Sequence, residues 1–485
     1  MTPAALMTVA IVVADPASMR AAPRMDAPIQ TTLWRGDWLE VRGSEGEFAR
    51  VYDHRRERPG FVHESLVRRF KLTPDRAPAL RAVLEFLGRR PGYESLGIGL
   101  AALYIKAAPP GKLDSALLVE IGLMATQLAR RASAGAPSRS LAPHLDVAAS
   151  YGVRFVNGRG TERGATQQGA TQLCYDGAAF RQALALGPGH RERALSVLAL
   201  TDERCAEETG TRDPRPDQAR ARHAALLALF AKTDPSRLAP CLGNRLRIRE
   251  SRLAAIHAFE LARGGKPSEA RRMSRRARNA WLRVDRAHLT EADHPAHQRA
   301  ALHVATARWA REEPGARGGR ARLAIALARG EQGQTCIRLL GPKENTRLAE
   351  RCTYGVVWPA SVRTSPDGRQ LAVAVQHLSG WVEQWVFHRT AAGAGGWQLA
   401  RLAPAATEPE LGYVEVAGWT PDGKRLLVVR EALVEGKLRR RFQILSASSL
   451  SVERESRAAR GLRRFRRWCS AGWKRDTLAL RRIGR

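Results

Sequence analysis

Residues 11 to 67 constrain the chain most. Short alternating runs stand at Ile11–Val13, Trp38–Val41, Phe48–Tyr52 and Gly60–Val62. Turn formers separate them: Ala22-Pro23, Arg35-Gly36-Asp37, Gly43-Ser44-Glu45-Gly46 and Arg58-Pro59-Gly60. A period of two puts alternate side chains on opposite faces, so each run reads as a half-buried strand. Four or five such strands at a spacing of ~8–12 residues predict a small β-barrel over residues 9–70. Thr8 to Ala14 reads as the first strand rather than as the apolar part of a signal peptide, because Met1 to Met7 carries no Lys or Arg. An export signal upstream of the given start is the matching expectation.

A second signal lies near the other end. Ser365-Pro366-Asp367-Gly368 followed by Arg369 to Val375 recurs, 55 residues on, as Thr420-Pro421-Asp422-Gly423 followed by Lys424 to Arg430. Proline sets φ for a turn, Asp bonds back to the backbone and Gly supplies positive φ; the apolar alternation after it makes a strand. Further strands are predicted at Trp381–Phe387 and Arg441–Leu445, and a degraded third copy at Trp473–Leu480.

Both signals resemble known families. Arg20-Ala21-Ala22-Pro23, Gly36-Asp37, Phe48 to Val51 and Gly60-Phe61-Val62 resemble the bacterial SH3-like (SH3b) pattern, with Phe48 and Phe61 where that family usually has Trp. The resemblance implies a binding module of cell-envelope proteins. The aromatics Trp34, Trp38, Phe48, Tyr52 and Phe61 are its candidate groove, with Gly36 and Asp37 as a structural turn. The second signal resembles the WD40-like units of TolB-type β-propellers; Trp419 keeps the leading Trp, whereas Thr364 replaces it in the first copy. Three units are too few to close a propeller, so an open or partial β-repeat domain is expected over 336–485.

Between these ends the period changes to that of helices. Leu80, Val83, Leu84 and Leu87, then Leu117, Leu118, Ile121, Met124 and Leu128, predict a helical region over 75–132. A linker and flexible loop is predicted over 133–173, with one short strand near 151–156, and a second helical domain over 174–330. Its clearest part is a helix pair turning at Gly264-Gly265, with Pro267 opening the second helix. That pair resembles one tetratricopeptide-type repeat without a second copy. The predicted fold is multidomain α+β: a barrel, a central all-α region and antiparallel β-repeats.

The charge is unusual: 80 basic residues against 47 acidic, a net charge of +33, with only 9 Lys among the basic residues. Such a chain attracts polyanions, whether nucleic acid, anionic lipid or wall polymer. No apolar run reaches the ~18 residues that cross a bilayer; Leu96–Ile105 reads as a buried helix. Six cysteines (174, 205, 241, 336, 352 and 469) include no C-x-x-C pair. They fit either disulfides in an oxidising compartment, Cys174 with Cys205 and Cys336 with Cys352 first, or six buried thiols in the cytosol.

Catalytic patterns are weak. Gly97-Ile98-Gly99-Leu100-Ala101-Ala102 matches G-x-G-x-x-A inside a helical run with no strand before it, and Gly264 to Ser268 is a helix–helix turn. His294 and His297 flank a loop containing Pro295, a poor metal frame. Arg463 to Trp468 mixes basic and aromatic residues and reads as the strand leading into the third repeat. The expectation is therefore a non-catalytic, periplasmic or cell-envelope protein without cofactor or metal, binding protein or a peptidoglycan-type ligand. Alternatives are a cytosolic, Arg-rich nucleic-acid-associated protein, and an envelope hydrolase with an unrecognised centre.

Overall fold

The structure is a computed structural model that describes residues 7–88, 90–109, 113–134, 138–158, 172–205, 216–311, 323–341, 346–389, 396–405 and 411–480. The chain is mixed α+β and forms two compact units, Met1–Asp213 and Pro214–Arg485. The boundary cuts through the single helical domain expected over 174–330.

The first unit opens with seven strands: β1 (Thr8–Val12), β2 (Ala17–Arg20), β3 (Ile29–Leu33), β4 (Trp38–Glu45), β5 (Phe48–Asp53), β6 (Arg58–His63) and β7 (Val67–Lys71). They form one antiparallel sheet in the order β3-β2-β6-β5-β4-β1-β7. Seven strands replace the four or five expected, because Ala17–Arg20, Ile29–Leu33 and Val67–Lys71 are too short or too polar to announce themselves. The edges β3 and β7 do not pair among the described residues, so the sheet is open rather than a closed barrel. One face still encloses a core of Ala10, Val12, Met19, Leu33, Leu39, Val51, Val62 and Val67. Val9 and Ile11, the alternate residues of β1, face the helices instead. Burial on both faces explains why β1 carries four buried residues in five.

Those helices are α1 (Ala77–Leu87), α2 (Glu94–Ala107), α3 (Ser115–Ser133), α4 (Ser138–Ser150), α5 (Ala178–Ala185) and α6 (His190–Leu200); β8 (Phe155–Asn157) and β9 (Leu173–Tyr175) form a small ladder. Gly97 and Gly99 lie inside α2. A Cβ on Gly99 would stand 2.6 Å from the Gly36 carbonyl oxygen, and one on Gly36, at φ +100°, would stand 2.5 Å from that of Ser95. Gly36 and Gly99 serve backbone-to-backbone packing of the sheet on α2, and Gly97 makes room for the Met124 side chain of α3, which disposes of the phosphate-loop pattern. The linker expected over 133–173 is corrected in part: 138–150 is helical, burying Leu141, Val147 and Ala148. Pro143 and the small residues around it hid that periodicity. The Gly/Thr/Gln-rich stretch 159–171 lies outside the described residues.

The second unit begins with α7 (Pro216–Ala228), α8 (Pro240–Arg263), α9 (Pro267–Leu282) and α10 (His294–Thr306). The α8–α9 pair turns at Gly264–Lys266 as expected; Trp281 is buried, while Arg272 and Arg275 are exposed. Strands start earlier than expected. β10 (Ala324–Arg329), β11 (Thr335–Leu340) and β12 (Arg347–Thr353) make a three-stranded antiparallel sheet. Two four-stranded antiparallel meanders follow: β13 (Val356–Thr364), β14 (Gln370–Leu378), β15 (Trp381–Arg389) and β16 (Trp397–Leu402); then β17 (Gly412–Trp419), β18 (Arg425–Val434), β19 (Lys437–Ser446) and β20 (Val452–Ser456). A short parallel bridge, Trp381↔Gly412 and Val382↔Tyr413, joins them.

The third repeat is not a strand unit. Arg463–Trp468 forms α11 and Ala471–Asp476 forms α12. Without Pro and Gly the turn is lost, and the Ser470 hydroxyl instead accepts from the Trp473 amide at 3.2 Å, capping a helix. Phe465 and Trp473 are buried beside Phe442 of β19. The strand expected around Phe465 and Trp468 is corrected likewise.

Candidate binding face of the amino-terminal sheet

Alternation fixes the site. On β4, Leu39 points into the enclosed core, so Trp38 and Glu40 lie on the opposite face, where Trp38 is half-buried against the helical core. Arg42 is exposed, and on β5 Val51 points into the enclosed core and Arg50 and Tyr52 away from it. Glu40 stands directly opposite Tyr52, and Arg50 opposite Phe61 of β6. His54, just past β5, fills the space between the two large rings. It stacks on Trp38 with centroids 5.8 Å apart and meets Tyr52 edge-on at 4.9 Å. The Arg42 guanidinium lies 4.0 Å from the Tyr52 ring centroid, and the Lys106 ammonium, from the end of α2, lies 4.0 Å from that of Trp38. The result is an alternating column of rings and cations on the sheet face opposite the enclosed core, where α2 meets β4.

Glu40 ties the column together, accepting from Arg42 at 3.1 Å and lying 2.8 Å from His54 Nε2. The Arg42 hydrogen bond, helped by His54, holds its carboxyl below the usual range. Partial burial lowers the Lys106 pKa as well, since it disfavours the charged ammonium. An anionic carboxylate, two cations and two aromatic π faces can grip an amphipathic ligand whose rings or flat apolar faces stack while its polar edges bond.

Of the five aromatics singled out in the sequence, the fold brings Trp38, Tyr52 and Phe61 to the face opposite the enclosed core, all three half-buried and Trp38 against the helical core. Phe48 is only 6% exposed and packs edge-on against His63. Trp34 sits in the β3–β4 turn, 6.0 Å from the His144 ring. Asp37 braces that turn, accepting from the Trp34 amide at 3.0 Å, and burial raises its carboxyl. Sequence reasoning missed His54 and Lys106. His54 had a local signal, two residues past Tyr52; Lys106 had none, since it arrives from another element.

A buried array behind the turn invites a catalytic reading. Ser95 Oγ lies 3.0 Å from His144 Nδ1, and His144 Nε2 lies 3.5 Å from Asp15, which also pairs with Arg35 at 3.0 Å. Serine, histidine and carboxylate stand in nucleophile–base–orienter order. However, Ser95 is 1% exposed, and its hydroxyl donates to the Arg35 carbonyl at 2.7 Å. Its proton is committed to the backbone and no substrate carbonyl can approach, so the array clamps the turn to the helices. Burial, only partly offset by Asp15, lowers the His144 pKa.

In the second unit the repeat turns are built as the sequence implied. Gly368 and Gly423 both adopt φ +66°. Asp367 accepts from Ser365 and from the Arg369 amide, and Asp422 accepts in the same way from Thr420 and Lys424. Pro366 and Pro421 each precede that Asp. The two turns meet, since a Cβ on Gly423 would lie 3.1 Å from the Asp367 carboxyl carbon. Trp419 Nε1 donates to Gln370 at 2.9 Å, tying the second meander to the first.

Cys174–Cys205 and Cys336–Cys352 lie at disulfide distance, with Cα atoms 5.4 and 3.9 Å apart. The second pair is directly cross-strand in β11–β12. Glu350 beside it pairs with Arg338 and Arg347, and paired sulfurs offer no thiolate, so this cluster is a poor metal site. His297 stacks on Trp281 rather than joining His294. No helix among the described residues is long and apolar enough to cross a membrane. Compared with protein-family models, curated proteins and solved structures, the chain matches none.

Proposed function

We propose that the chain is a non-catalytic binding protein of the bacterial cell envelope, whose amino-terminal SH3-like sheet takes peptide or cell-wall glycopeptide and whose propeller-like repeats give a second interaction surface. The observation that carries this reading is the Trp38–His54–Tyr52 column with Arg42, Lys106 and Glu40 around it. Aromatic faces stack on sugar rings or flat peptide groups, and the charges meet amide and carboxylate edges. Two cysteine pairs at bonding distance support an oxidising compartment. The buried, proton-committed Ser95 supports a binding role over hydrolysis.

The test is co-sedimentation of the full chain with purified peptidoglycan, at salt high enough to screen the net charge. Trp38→Ala/Tyr52→Ala is expected to weaken binding about tenfold or more, while Phe86→Ala, an exposed ring on α1, leaves it unchanged. Equal sedimentation of all three proteins contradicts the assignment.

A second reading, association with nucleic acid, is favoured by the net charge of +33 and the exposed Arg272 and Arg275 of α9. It requires a sequence or structure preference that survives in high salt, since a steep salt dependence alone follows from charge.

A further inference from the structure

The second meander holds a charge arrangement that its own repeat partner lacks. In the β18–β19 ladder Arg430 stands directly opposite Arg441, and Arg439 lies one diagonal step away, opposite Ala432. Like charges directly opposite each other in a ladder are destabilising. In the first meander, the residue 55 positions before Arg430 is Val375, fully buried and opposite Glu383. A β-repeat at this position is therefore built well without arginine, and the pair in the second copy needs another explanation.

These arginines line a cleft of about 380 Å³, closed on one side by Pro404 and Ala405 after β16 and floored by Gln443. Arg430 Nη1 donates to the Ala403 carbonyl at 2.6 Å, while its Nε is buried without a hydrogen-bond partner among the described residues. Burial with no carboxylate against it weakens its hold on its proton. Gln443, 7% exposed, likewise leaves its Oε1 unpartnered among those residues. Glu455 is the acid within the cleft, 3.9 Å from Arg441 and already accepting from Gln443 Nε2. Arg439 pairs with the exposed Glu435 at 3.5 Å, so among the described residues Glu455 is the one carboxylate left for Arg430 and Arg441. Their planar donor forks match phosphate and carboxylate oxygens.

We propose that the cleft between the two meanders binds a small organic anion, its phosphate or carboxylate held between Arg430 and Arg441 and its body against Pro404, Ala405 and Val434. The volume falls within the ~300–1,000 Å³ of small-molecule sites. A bound anion neutralises the opposed arginines and meets the orphaned Nε, so the ligand supplies what the fold leaves unpaired.

The experiment is isothermal titration calorimetry of the full chain with phenyl phosphate, benzoate and inorganic phosphate. At least one of the two organic anions is expected to saturate a single site, more tightly than inorganic phosphate, and comparison of the two tells a phosphate from a carboxylate ligand. Arg430→Met/Arg441→Met is expected to lose about tenfold or more in affinity. Arg272→Met/Arg275→Met, with the same change in charge, retains it. Without ligand, the cleft variant melts at or above the wild-type temperature, because it removes the like-charge pair; this also shows that it folds. Absence of saturable binding, equal losses in both double variants, or a lower melting temperature in the cleft variant overturns the proposal.

Discussion

The two four-stranded meanders share a frame and differ in what they bury. Both carry the same turn, the same glycine dihedral and the same apolar alternation after it. Opposite Ala374 in the first stands Trp358; opposite Val429, its counterpart in the second, stands Glu415. The first meander meets α10 through neutral groups, Thr306 donating to the Ser379 carbonyl at 3.0 Å with buried His303 facing the same carbonyl. The second is held by an ion pair. Arg308 and Glu415, both almost fully buried, lie 2.5 Å apart, and the other Glu415 oxygen accepts from Trp473 and Thr477. Turn chemistry and alternation suffice to make the unit, which leaves its remaining positions free to become a charged anchor on one face and a basic cleft on the other.

The largest effect should come from the charged anchor. Glu415→Gln removes the carboxylate that faces the buried Arg308 guanidinium and is expected to cost roughly 3–5 kcal/mol in urea unfolding. Thr306→Val, at the neutral anchor, should cost only about 0.5–1.5 kcal/mol. Similar costs at the two sites would erase the distinction between the meanders.

Next come the shared turns. Gly368→Ala and Gly423→Ala each place a Cβ in the left-handed region, at about 1–2 kcal/mol. The Gly423 variant should lose more, because its new methyl meets the Asp367 carboxyl. Equal losses would show that the turns do not touch.

The smallest effect is a pH dependence of the neutral anchor. Burial, with Arg252 and Arg299 nearby, holds the His303 pKa well below 6.5. The folded state therefore binds fewer protons than the unfolded one. Stability is full above the unfolded value near 6.5 and falls as pH drops from there toward the folded value, by at most about 1.4 kcal/mol per pH unit. His303→Gln should flatten that slope, and an unchanged slope would remove His303 from the account of the anchor.

The sequence was legible wherever local signals decide structure. Alternation located β1, β4, β5 and β6; the two Pro-Asp-Gly turns located both meanders. Local spacing also picked out both cysteine pairs. It failed where a local likeness lacked its decisive residues, as in Trp473–Leu480, whose first residues end helix α12 instead of making a turn and strand, because no Pro or Gly forces the turn. Helix α4 was hidden by Pro143. Ring-and-cation contacts with Lys106, the Ser95–His144–Asp15 clamp and the opposition of Arg430 to Arg441 all depend on register or tertiary placement, which no window of sequence contains.

Whether the chain works in an oxidising envelope is decided by its cysteines. Cys241 and Cys469 lie outside the two cysteine pairs, the first exposed and the second buried. Cells expressing the protein are quenched under denaturing conditions with an alkylating agent, and the protein is weighed with and without prior reduction. Two alkylated cysteines before reduction and six after it are predicted for an exported, disulfide-bonded binding protein. Six alkylated cysteines in both samples would place it in a reducing compartment and contradict the envelope assignment.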